Sequence, residues 1–286
     1  MQWIVSVAPS EDELRALEAK GFRRDDLLDA VDPRERSRVR VRGDDTLVVL
    51  RLARRPPTMR HPARTVPLAM LFGRERGVVV IATNGELSHR IEAAVGSGDT
   101  TPRRVIAAVL ELVATDFLDQ LQQIDETVEQ IEARLEGSLA NREVVALLRH
   151  QKTLLHFTVA LDEMVGMLEQ LQREPHMASG GEDEEWLADA RVELRQALEV
   201  ARLSSHGLGQ MMSAFSSIIA NDVNDAMKLL ASIAVILTWP VFLASLYGMN
   251  VPLPGQSSRF ACLVILAAAA VGCVLLAWKM HRRRWL

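Results

Sequence analysis

Charge is missing from two stretches of this 286-residue sequence. Leu229–Tyr247 and Phe260–Trp278 hold no Asp, Glu, Lys, Arg or His, while residues 1–228 carry nearly all of the charge. Each run has 19 residues, roughly 28 Å as helix, about the thickness of a bilayer core. A buried core helix seldom stays uncharged on every side for that long, so the pair reads as a membrane hairpin. The same lack of charge excludes a proton relay or ion-pair carrier built on intramembrane residues. Cysteine is scarce too. Cys262 and Cys273 both lie in the second run, which excludes a disulfide framework or a cysteine-based metal site and leaves small lipid- or helix-facing residues. The opening "MQWIVSVAPSEDE" lacks a basic start and a long apolar stretch, so no signal peptide is expected. Catalytic signatures are also missing: there is no phosphate loop, no Gly-x-Ser-x-Gly and no His-Glu-x-x-His. An enzyme is not expected.

The flanks orient the hairpin. Four Lys/Arg fall in the last eight residues (Lys279, Arg282, Arg283 and Arg284), whereas Asn250–Ser258 has none and Arg259 stands alone. An excess of basic residues marks the cytoplasmic side, which predicts both termini in the cytoplasm and a multi-pass protein of the cell (inner) membrane.

Residues 1–100 read as a cytoplasmic α/β domain. "QWIVSV" is a strand, and Ser10 with Glu13 forms a capping box ahead of "ELRALEAKG". "SRVRVRGDDTLVVLRLA" alternates, turns at Gly43-Asp44-Asp45 and alternates again, which predicts a hairpin. "TVPLAMLF" and "GVVVIAT" are further strands, and Gly85–Val95 is a short helix. Ten arginines lie between Arg34 and Arg64. Arg38, Arg40 and Arg42 alternate with apolar residues as on a solvated strand face, with no interleaved aromatics to stack on bases, so no nucleic acid partner is expected.

Residues 101–228 read as a long-helix region. Pro102 opens a helix running to about Leu135, and Gly137-Ser138 breaks it. A second spans about Asn141–Gln172. A third begins in "EDEEW" and meets no breaker until Pro240. Nothing separates its polar part from the first apolar run, so the reading is one helix of about 65 residues, on the order of 95 Å, giving a rigid link into the membrane. Such a helix needs packing partners along its length. Asp116, Asp119, Asp125, Glu126, Glu129, Glu132, Glu136 and Glu182–Glu185 cluster on these helices. They read either as a solvated face or, in part, as ligands for hard divalent cations between helices or subunits.

Residues 229–286 form the hairpin and basic tail. Stepping back from Gly248 by three and four gives one seam: Ser245, Val241, Thr238, Ala234, Ala231, Met227, Asn224. Small and hydroxylic residues on one face suit close helix packing in a bilayer; they equally suit a narrow pore, if several copies surround an axis. "ANDVNDAMK", with Asn221, Asp222, Asn224 and Asp225, reads as interfacial polarity or as an ion mouth.

"NDVNDAMKLLASIAVILTWPVFLASLYGMN", the second apolar run and the basic tail ending in Trp-Leu together resemble the CorA superfamily of divalent cation transporters. The resemblance covers the whole layout: α/β domain, long helices and C-terminal hairpin. It implies an α+β membrane protein assembled as a homopentamer, whose first membrane helices line an axial pore gated by the cytoplasmic domain. Gly248, Met249 and Asn250 would form the outer entrance. Neutral Asn250 amide oxygens can hold a hydrated Mg²⁺ through its water shell, strongly enough for entry and weakly enough for release. The resemblance makes Met227 and Leu230 the hydrophobic constriction and Asn224 a polar ring below it. It makes Ala231, Ala234, Thr238, Val241 and Ser245 pore-lining, and the tail cations a basic collar. Divalent cations would be both substrate and regulator, their loss from between subunits opening the pore. No covalent cofactor is implied, and the partners are the lipid bilayer and other copies of the chain.

Two features depart from the pattern. The magnesium-transporting branch commonly carries an acid soon after Gly-Met-Asn, where "VPLPGQSSR" has none and ends in Arg259; this loop resembles the zinc-transporting branch. Pro240 also sits one residue nearer Asn250 than the family's usual helix proline. Mg²⁺ is the leading substrate, with Co²⁺ or Ni²⁺ beside it. The alternatives are Zn²⁺ transport and a non-conducting sensor or scaffold on the same fold.

Overall fold

The structure is a computed structural model that describes residues 2–54, 62–73, 76–83, 85–95, 101–135, 141–174, 182–249, 260–283 and 285. Two compact units divide the chain, Met1–Met212 and Ser213–Leu286.

In the first unit, alternating and continuous apolar runs build a five-stranded sheet: β1 (Gln2–Val7), β2 (Arg38–Arg42), β3 (Asp45–Arg54), β4 (Arg64–Phe72) and β5 (Arg76–Ile81). The order is β1-β5-β4-β3-β2. β1 runs parallel to β5, and the other pairs are antiparallel. Gly43, at the first central position of the β2–β3 turn, takes φ +64°, and Arg42 pairs with Asp45. Glycine there is what a two-residue II′ hairpin needs. Leu47, Val49, Ala69, Leu71, Val78 and Val80 pack on one face with Leu14 and Leu17 of α1 (Glu11–Ala19) and Leu27 and Ala30 of α2 (Arg24–Val31). The alternate residues Val48, Leu50, Leu68, Met70, Val79 and Ile81 are buried as well, so both faces are covered. α3 (Glu86–Val95) packs on β1, α4 (Pro102–Leu135) on β3, and α5 (Asn141–Arg173) on β2, β3 and β4. The expected Ser10–Glu13 capping box is present on α1.

The arginines of β2 depart from the solvated-face expectation. Their side chains meet α2, a helix that carries no strong sequence signal. Arg38 reaches Asp29 at 2.6 Å, and Arg40 reaches Asp26 at 2.7 Å and Asp29 at 2.9 Å. Arg42 lies 3.9 Å from Asp26, itself 5% exposed. Burial works to lower the Arg40 pKa, but its hydrogen bond to Asp26 and the charge of Asp29 outweigh that and hold it above the ordinary value. Strand alternation alone does not distinguish a solvated arginine from one facing an acidic helix.

Pro102 starts α4 where a helix tolerates a missing N–H. Its Phe117 meets Phe157 of α5 edge-on at 5.0 Å, and both are fully buried. Leu147, Leu154, Leu161 and Leu168 form a buried seven-residue repeat along α5. α6 (Glu182–Tyr247) is one helix of 66 residues. In the first unit it buries Leu187, Ala190, Leu194, Ala197, Leu198 and Ala201. It is tied to α5 by Arg195–Glu169 (2.6 Å) and Arg202–Asp162 (2.7 Å), and to α4 by Ser204 donating to Asp125 (3.0 Å).

Candidate functional site

The second unit holds the end of α6 and α7 (Ala261–Arg282). Both helices are long and apolar enough to cross a membrane, with mean hydropathy 2.2 and 2.6 in their apolar windows. Those windows are 6% and 0% buried, unlike the core helix of a soluble protein. Such helices suit lipid, because every backbone group along them can bond within the segment.

α7 covers one side of α6. Lys228, Ser232, Ile236, Trp239, Pro240, Leu243 and Tyr247 are its shielded residues, and Ser232 is fully buried. At about 100° per residue these positions share one face. The sequence-derived seam occupies the opposite face. Asn224, Met227, Leu230, Ala231, Ala234, Thr238, Val241 and Ser245 are all exposed, Met227 at 66% and Leu230 at 70%. The small-residue seam is therefore not the surface on which α7 packs. Thr238 turns its hydroxyl to the Ala234 carbonyl (2.7 Å), which leaves hydroxyl oxygen lone pairs on that face.

The two ends of this apolar part of α6 are described in part. Gly248 N–H donates to Ala244 O (3.0 Å) as α6 terminates, and Met249 is 54% exposed. Asn250, the acid-free loop after it, and Arg284 lie outside the described residues. At the other end, Asn221, Asp222, Asn224 and Asp225 are exposed, and Asp225 pairs with Lys228 at 2.8 Å. That pairing neutralises one of the two carboxylates of this polar segment, and its three-residue helical spacing is the sequence signal for it. Lys279, Arg282 and Arg283 are exposed at the C-terminal end of α7, where cations complement the helix dipole. The Arg282 guanidinium lies 4.9 Å from the centre of the Trp278 ring.

The acidic helices do not converge on one centre. Asp119, Glu126, Glu129 and Glu132 face solvent, as do Glu184 and Glu185. Asp125 accepts from Ser204, and Asp116 accepts from Gln120 at 2.8 Å. Asp116, Gln120, Arg54, Glu86 and Ser88 line a cleft of about 380 Å³ at the ends of β3, β4 and β5. Glu136 and the side chains of Glu182 and Asp183 lie outside the described residues. Among the described residues, no three His, Cys, Asp or Glu side chains come together as a metal site. Burial raises the Glu193 pKa above its ordinary value, and the nearby charges of Glu111 and Asp189 raise it further.

An α/β unit joined by long helices to a two-helix apolar hairpin defines the architecture of a membrane protein with a large polar domain. The chain belongs to the family of CorA-like Mg²⁺ transporter proteins, which matches residues 1–282. The cobalt/magnesium transport protein CorA of Methanocaldococcus jannaschii is 21% identical over 296 residues, covering 99% of this chain and 91% of that protein. The complete structure of the CorA magnesium transporter from the same organism superposes with a TM-score of 0.87 at 20% identity, over 99% of this chain and 91% of that one. Full-length CmaX is similar at TM-score 0.74 and 19% identity, over 99% of this chain and 88% of that one. The ZntB cytoplasmic domain from Vibrio parahaemolyticus is similar at TM-score 0.60 and 12% identity, over 78% and 89%. These likenesses establish the CorA fold for the whole chain.

Proposed function

We propose that the chain is the subunit of a passive, pore-type divalent cation transporter, assembled as a homopentamer around the exposed face of α6. The observation that carries this reading is the small and hydroxylic seam left uncovered on the side of α6 opposite α7. A lone hairpin has no use for such a face. Copies arranged about an axis would line a narrow path with it, with Met227 and Leu230 narrowing one end and Gly248-Met249-Asn250 opening the other. Five Asn250 amides would hold a hydrated cation by hydrogen bonds to its water, a mode suited to Mg²⁺. The relatives named for magnesium and cobalt transport support divalent cations as the class of substrate. The basic end of α7 supports cytoplasmic termini by the charge rule, and cations bound between subunits would hold the pore closed.

A second reading keeps the pathway and changes the metal. The acid-free "VPLPGQSSR" would leave the entrance positive, which lowers the local concentration of any divalent cation; its likeness to the zinc-transporting branch is what supports Zn²⁺. Two variants in proteoliposomes test both readings. Asn250→Ala abolishes or strongly reduces flux while the oligomer stays assembled; wild-type flux would remove Asn250 from the mechanism. Leu253→Glu raises Mg²⁺ uptake at low ionic strength; unchanged uptake would show that loop charge plays no part.

A further inference from the structure

Pro240 lies inside α6, and a proline has no N–H to donate four residues back. The Ile236 carbonyl therefore lacks the partner that a regular helix supplies, in a segment where water is not available to replace it. The Cys273 thiol of α7 fills that place, with Sγ 3.6 Å from Ile236 O. One residue before the proline, Trp239 Nε1–H donates to the Ala268 carbonyl of α7 at 3.3 Å. The indole reaches that carbonyl because residue 272 is glycine. A Cβ there would overlap Trp239 Nε1 and lie 2.5 Å from Cδ1 and Cε2. Trp239 also stacks on Phe242 across the proline, ring centres 6.3 Å apart at 27°. Two donors, one from each helix, thus bracket the interruption in the hydrogen-bond ladder.

We infer that α7 acts as a splint for the proline interruption of α6, with Cys273, Gly272 and Trp239 as positioning residues that fix how the segment beyond Pro240 continues toward Gly248. Without the splint, the freed carbonyl and the missing bond leave α6 a hinge at Pro240. With it, the exposed seam on the far side keeps one geometry along the helix. The consequence for ion passage rests on the proposed pathway, but the contacts can be tested without any ion flux.

The test uses the full chain in liposomes and the infrared S–H stretch. In Cys262→Ser protein the remaining thiol is Cys273, and its band is expected below that of Cys262 measured in Cys273→Ser protein. Adding Pro240→Ala restores an N–H that competes for Ile236 O, so the Cys273 band moves up toward the Cys262 position. Coincident bands for the two thiols, or a Cys273 band unmoved by Pro240→Ala, would overturn the inference. Thermal unfolding supplies an independent arm. Gly272→Ala lowers the midpoint, and Trp239→Leu in the same chain recovers part of the loss by removing the indole that the new methyl meets. A double variant no more stable than Gly272→Ala alone would equally overturn it.

Discussion

At the residue scale, the sequence shows side-chain types but not what faces them. Arg38, Arg40 and Arg42 alternate as a solvated strand face would, yet Asp26 and Asp29 of α2 meet them. α2 has only eight residues and a polar first turn, too little periodicity to announce a helix, so its carboxylates could not be placed in advance. Removing Asp26 leaves Arg40 half-buried with one partner fewer. Asp26→Ala is expected to cost about 3 kcal/mol, the scale for breaking a buried pair, read as a lower thermal midpoint of the detergent-solubilised chain. Glu193 has the opposite character. Its pKa is raised by burial and by Glu111 and Asp189, so the folded chain holds a proton that the unfolded chain has released. Stability then falls as pH rises from the ordinary glutamate pKa through the raised one. Glu193→Gln should flatten that part of the curve and raise the midpoint at neutral pH. A slope unchanged by the substitution would place the titration elsewhere.

At the element scale, length and periodicity carried most of the information. The 66 residues of α6 follow from the lack of any breaker between the acidic "EDEEW" and the end of the first apolar run. Pro240 does not end the helix, and the Cys273 thiol of α7 lies against the carbonyl it frees. The face opposite α7 coincides with the seam stepped off from Gly248, but only the structure separates that seam from the packing surface. Small residues suit either role, and pattern alone could not decide between them. The order of the five strands was likewise beyond reach, since nothing local links β1 to β5 in parallel across the intervening hairpins. The α4–α5 contact is a direct check on the helical layer. Phe117 and Phe157 are fully buried and edge-on, so Phe157→Ala is expected to cost about 3–5 kcal/mol. A loss under about 1 kcal/mol in thermal or denaturant unfolding would mean that the helices are held mainly elsewhere.

At the scale of the whole molecule, the family resemblance and the physical reading meet. The charge-free runs predict a hairpin, the α/β pattern predicts a separate domain, and membership of the CorA-like family covers both in one chain. The proposed entrance is read least directly: Gly248 and Met249 follow α6 with their N–H groups bonded back to Ala244 and Leu246 and the Met249 thioether exposed, and Asn250 follows them only in sequence. The carboxylates spread along α4 and α6 gather no metal site within one chain, among the described residues. If the proposed entrance holds, metal identity turns on the sequence after Asn250, where charge and hydration decide what neutral amides can hold. The measurement that tests the central claim most directly is divalent cation flux into proteoliposomes holding the purified wild-type chain, with Mg²⁺, Co²⁺, Ni²⁺ and Zn²⁺ competing against one reporter ion. The account predicts saturable uptake of at least one of the four, with Mg²⁺ competing; no uptake of any of them would contradict it.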